Sequence, residues 1–176
     1  MTRSYIEVFL PLFMLSFLLV FLVWSYIFRK RIQSKKANYL SSIFRINYVF
    51  LTMLAVAVII VGLYSFQPDY YMMLLLPIEA FDKPYINEFG GVILRLAFFW
   101  LLSSLIHTCL LLKSIPNGNK SKSEEVYVYT QKIVLVSVML LLVGLDVTIS
   151  SVGAFLLSVV GLLFYYRVYY QVRSNY

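Results

Sequence analysis

The stretch VILRLAFFWLLSSLIHTCLLL, residues 92–112, decides how this chain is read. It is an unbroken apolar run, long enough at ~1.5 Å per helical residue to cross a ~30 Å hydrocarbon core, yet it carries Arg95 and His107 inside it. Four further runs of the same kind lie at 8–28, 46–66, 126–145 and 147–166. A lone span in lipid must satisfy its own backbone, so each run is expected to be an α-helix. The expected fold is therefore all-α, a polytopic membrane protein of five transmembrane helices in one integral membrane domain over 1–176.

Composition agrees with that reading. Hydrophobic residues make up 61% of the 176 and charged residues 13%, against roughly a quarter charged in soluble domains. A net charge of +7 would suit nucleic acid, but the basic residues sit in short loops beside apolar runs, not in a stripe interleaved with aromatics. The expected partners are the lipid bilayer and, beyond it, another membrane protein, with no nucleic acid. Fifteen Tyr and fourteen Phe read as interfacial belts. A single Cys, Cys109, and a single His allow neither an internal disulfide nor a zinc site, so no metal is expected. The run 8–28 exceeds a signal-peptide core, lacks a small-x-small cleavage pattern and leads into Arg29, Lys30 and Arg31, so it is expected to be retained.

Along the chain, Pro11 falls in the first turn of the first span, and Pro68 and Pro116 lie just past the second and third. The last two runs are nearly continuous, and one helix through both would overshoot any bilayer. A tight hairpin around Gly144, Asp146, Ser150 and Ser151 resolves this, with Asp146 read as a turn former in preference to a buried ion partner. The apolar segment 72–76 is too short to cross, and is expected to lie in the interface or to fold over the mouth of the bundle. Arg29, Lys30, Arg31, Lys35 and Lys36 fall on the same side as Arg167 and Arg173, opposite Asp69, Glu79, Asp82 and Glu88. By the positive-inside rule the N-terminus is outside and the C-terminus cytoplasmic, in what fits a bacterial inner membrane. The basic cluster then meets lipid headgroups.

Three features are candidate sites. Ser103, Ser104, His107 and Thr108 form a polar stripe expected to face other helices, with His107 either a proton carrier or an imidazole bonded across an interface. Arg95 lies about 18 Å along the axis from His107, within a turn of the span end, and is expected to snorkel or to pair with Glu88 or Asp82. Ser150, Ala154, Ser158 and Gly161 give small-xxx-small spacing in the last span, suited to close helix packing and assigned first to the hairpin. No phosphate loop, nucleophile triad or paired intramembrane carboxylates appear in the sequence.

Longer features carry a resemblance. Leu10-Pro11-Leu12 is followed by a span and a basic loop with Lys35, Lys36, Ala37, Asn38 and Tyr39. The segment 63–71, LYSFQPDYY, leads to Leu76-Pro77-Ile78, and the closing hairpin runs from Leu141 to Gly144 and on through Tyr165, Tyr166 and Arg167. In this order they resemble the bacterial and archaeal relatives of isoprenylcysteine carboxyl methyltransferase. That resemblance implies a helical scaffold and, in the relatives, S-adenosylmethionine-dependent methyl transfer through an Arg-His-Pro-x-Tyr-x-Gly signature. Here Gln131, Lys132, Ile133, Leu135 and Ser137 stand at the signature positions, and Tyr169 to Arg173 supply no carboxylate after the last span. No catalytic residue is carried over.

The function expected from these residues is that of a subunit, assembly or accessory factor acting through interactions in the membrane, without enzymatic chemistry and without a cofactor. The alternative is a divergent methyltransferase using S-adenosylmethionine in a pocket between the third, fourth and fifth spans, with His107 near its floor. A small transporter is a third reading.

Overall fold

The computed structural model describes residues 3–31, 37–81, 83–115 and 120–174. They form six helices: α1 Arg3–Arg31, α2 Ala37–Phe66, α3 Pro68–Leu75, α4 Pro84–Ser114, α5 Lys120–Ile149 and α6 Val152–Ser174. Among the described residues there is no strand, only an isolated bridge between Pro77 and Ser151. Segments of α1, α2, α4 and α5 are long and apolar enough to cross a membrane, and α6 adds a fifth apolar stretch, Val152–Arg167. The all-α expectation therefore holds.

α1, α2, α4 and α5 outrun the apolar runs that announced them, whereas α6 starts later than its run and ends beyond it. α4 begins at Pro84, where a proline at the first helical position forfeits no hydrogen bond, so Gly90 and Gly91 lie inside the helix. The hairpin also differs from the expectation. α5 continues through Gly144 and Asp146 to Ile149, and the turn is only Ser150 and Ser151. Spans ending at 145 and starting at 147 are thus corrected, and Asp146 is a helical residue. Ser150 carries the turn with φ of 50°.

The closest pairing in the bundle is α4 with α5. Buried positions on α4 advance in alternating steps of three and four: Asn87, Gly90, Leu94, Ala97, Leu101, Ser104 and Thr108. On α5 the buried series is Thr130, Val134, Ser137, Leu141, Gly144 and Thr148, stepped the same way. That spacing keeps one face of each helix on its partner, and the small residues within it bring the backbones together. A Cβ at Gly90 would sit 2.7 Å from the Thr148 backbone nitrogen and against its Oγ1, and one at Gly144 would sit 2.9 Å from Leu94 Cγ. Between these two crossings and the far end, Ser137 Oγ donates to the Ala97 carbonyl at 3.1 Å.

α1 is joined to the bundle by aromatic rings. Phe13, Phe17, Phe21 and Trp24 are buried on one face. Phe13 meets Phe98 of α4 at 5.6 Å between centroids, and Phe21 meets Phe50 of α2 edge-on at 6.4 Å. Phe13, Phe17 and Phe21 of α1 are thus core, whereas Tyr26, Tyr48, Tyr85 and Tyr166 are exposed near the ends of the apolar segments, where a belt would be.

The segment 72–76 takes the second of its two expected places, over the end of the bundle. α3 turns Tyr71 and Leu75 inward and leaves Met72, Met73 and Leu74 exposed. Tyr71 Oη donates to the Ile149 carbonyl at 2.9 Å, closing the end of α5. Ile78 N donates to Ser150 O at 2.8 Å, Val152 N to Leu76 O at 3.2 Å, and Ser151 Oγ to Leu75 O. The same Ser151 hydroxyl accepts from Ala154 N at 3.2 Å, which caps α6. The α5–α6 turn is thereby latched to the α3 segment, and this end of the molecule is called the latch end below.

Candidate functional site

The predicted polar stripe divides in two. Ser104 and Thr108 are buried in the α4–α5 seam, and neither hydroxyl oxygen has a hydrogen-bond partner among the described residues. Ser103 and His107 are exposed, and the His107 ring lies 6.4 Å from that of Tyr129 on α5. Helical geometry explains the split, since residues one apart project about 100° from one another. His107 therefore lies outside the buried seam, on the exposed side of α4 beside Tyr129 of α5. Cys109 is exposed. Arg95 is exposed as well, with its guanidinium 5.6 Å from the centre of the Phe9 ring of α1. Its ring contact is a cation–π attraction; of the two partners expected for it, Glu88 is exposed on the same helix and Asp82 lies outside the described residues. So do Lys35 and Lys36, and the side chains of Arg29, Lys30 and Arg31.

The small residues of the last span also separate. Ser150 is in the turn, Ala154 is buried, and Ser158 Oγ donates to Asp146 Oδ1 of α5 at 3.1 Å. Gly161 faces α2 instead, where an added Cβ would meet Met53 Cε at 2.8 Å. One part of the set lies within the hairpin, and the other seats α6 on α2. Further along, Phe50 and Tyr165 stack at 5.3 Å with an interplanar angle of 12°.

Because α6 leans onto α2, a cleft of about 310 Å³ remains between α2, α5 and α6. Its walls are apolar: Met53, Ala57 and Ile60 from α2, Leu142 and Leu145 from α5, and Ala154 from α6. Its polar groups are Thr52, Asp146 and Ser158. A second cavity, also about 310 Å³, lies beneath the latch between Ile78, Phe81, Ile86, Val143, Ser150 and Phe155. Asp146 lines both. It is half-buried, one helical turn from the end of α5, within the segment apolar enough to span a membrane.

Asp146 is the residue that sequence reasoning misjudged. Its neighbourhood, Gly144 to Ser151, has turn composition, and only the tertiary structure shows helix through it. The available signal was Ser158, twelve residues on, which a two-residue turn brings opposite Asp146. Among the described residues no group of three or more His, Cys, Asp or Glu could hold a metal.

Compared with known protein families, with characterised proteins and with solved structures, the chain has no match. What the fold and the site define is a class: a helical integral membrane protein with a carboxylate set into an apolar interhelical cleft.

Proposed function

We propose that this protein is a non-enzymatic membrane subunit or accessory factor that acts by binding within the bilayer, and that the α2–α5–α6 cleft is where it does so. The observation that carries the reading is Asp146. An ionisable side chain inside a membrane segment is costly and is retained where it has a partner to meet. Its one described side-chain hydrogen bond, from Ser158, leaves further acceptor capacity on a carboxylate that can accept at about four positions. The bias of basic residues supports a C-terminus in the cytoplasm and an external latch end, and a bacterial inner membrane as the setting. Neither of the two cavities described is lined by His107 or by the residues at the signature positions, so neither of them lends support to methyl transfer.

The test is photo-crosslinking in native membranes with a photoreactive amino acid at Val160 on the rim of the cleft, against Phe99 on the exposed face of α4. A discrete adduct at Val160 that is absent at Phe99 is expected. Identical diffuse lipid labelling at both positions would remove the cleft as a binding site.

A further inference from the structure

We infer that the cleft takes a single-chain amphiphile with a protonated amine head, its chain between α2 and α6 and its head at Asp146. This deepens the functional reading above and rests on it. Shape carries the first part. The cleft follows α2 from Val49 to Ile60, about 17 Å along the axis at ~1.5 Å per residue. Its volume stands at the lower edge of the ~300–1,000 Å³ of small-molecule pockets. The Gly161–Met53 approach and the Phe50–Tyr165 stack hold α6 against α2 beside it, so a whole helix cannot enter between them. A flexible chain can. Leu157, Val160 and Phe164 line the cleft and are exposed, which makes its rim open sideways toward lipid.

Charge carries the second part. Asp146 is the only charged residue among those lining either cavity, and neither lining contains Lys, Arg or His. Phosphate and carboxylate heads would meet the carboxylate with nothing to offset the repulsion. A primary ammonium donates up to three hydrogen bonds and neutralises the acid, which is the condition under which charges are tolerated in apolar surroundings. Asp146 lies toward the latch end of the cleft, while Val49 and Phe164 mark the other end. The charged group is therefore at one extremity of a largely apolar slot, and the Thr52 hydroxyl near the other end is turned back onto the Tyr48 carbonyl, which matches an amphiphile with one charged head and one tail. The second cavity, sharing Asp146, leaves room beyond the head beneath the latch.

The experiment titrates the purified full chain in detergent with tetradecylamine, tetradecanol and tetradecanoic acid, reading bound ligand by native mass spectrometry. One saturable amine per chain is expected, with affinity at least tenfold above that of the alcohol, and no saturable binding of the acid. Asp146→Asn, which keeps an acceptor for Ser158, is expected to reduce amine affinity at least tenfold. Ala57→Phe, which fills the slot and leaves the acid in place, is expected to abolish binding. Equal binding of all three heads, or undiminished amine binding by a folded Asp146→Asn protein, overturns the proposal. The comparison of heads on the unaltered chain decides even if a variant does not fold. Absence of amine binding combined with a discrete protein adduct at Val160 overturns the amphiphile and leaves the cleft as a site for a protein partner; absence of both overturns the two readings together.

Discussion

At the residue scale, glycines set the distance between α4 and α5. Gly90 has no room for a Cβ because the Thr148 backbone and hydroxyl occupy that space, whereas Gly62 of α2 has nothing within 4 Å. Gly90→Ala is therefore expected to force the seam apart and to lower stability by about 1–3 kcal/mol, the ordinary cost of overpacking. Gly62→Ala should be neutral or stabilising by up to about 1 kcal/mol, since alanine is the better helix former and meets no obstacle. Thermal unfolding midpoints of the two variants in the same detergent check this, and equal midpoints would mean the seam is not close-packed. Gly90 carries a mark in the sequence, because Ala97 and Ser104 follow it on α4 at heptad spacing, as Gly144 follows Ser137 on α5. Arg95 shows the opposite case. Its charge is conspicuous in residues 92–112, but its seat over Phe9 depends on α1, eighty-six positions away by number, which no local pattern encodes.

At the element scale, the latch is what makes α5 and α6 two helices. Backbone groups freed by the turn are met by α3 and the residues after it: Leu76 O accepts from Val152, and Ser150 O accepts from Ile78. Ser151→Ala removes both the cap of α6 and the bond to Leu75, and is expected to cost about 0.5–2 kcal/mol. Tyr71→Phe removes the bond to Ile149 and should cost about 1 kcal/mol. Both losses are local, so hydrogen exchange should quicken in 149–155 more than in the α4–α5 seam. Uniform acceleration across the bundle would show instead that the latch supports the whole fold. The existence of a hairpin could be read from bilayer thickness alone, because one continuous helix would not fit. The location of its turn could not: Gly144, Asp146, Ser150 and Ser151 all have turn propensity, and long-range hydrogen bonds to α3 selected the last two.

At the scale of the whole molecule, the proposed orientation rests on the distribution of charge and is open to direct test. Asn119, Lys120 and Ser121 form a glycosylation sequon whose last two residues open α5, with Asn119 outside the described residues. With the C-terminus cytoplasmic, this sequon faces away from the lumen and should stay unmodified in an ER-insertion assay; glycosylation there would invert the topology. A sequon introduced after Gln67, at the latch end, should be modified in the same assay.

Helical structure, a membrane type of hydropathy and the approximate number of apolar spans are all legible in the order of residues alone. Those properties follow from one physical constraint, the absence of water to satisfy backbone groups across the bilayer. Which faces meet was left to the tertiary structure, because lipid and core are equally apolar and hydropathy cannot tell them apart. Leu101 is fully buried and Phe99 is 72% exposed, yet both are large apolar residues two positions apart. Small-residue spacing is the signal that remains, and it places the α4–α5 seam but not the lean of α6 onto α2. That lean, decided by Gly161 against Met53 and by the latch at the other end, opens the cleft and turns Asp146 from a residue with turn chemistry into a carboxylate between helices.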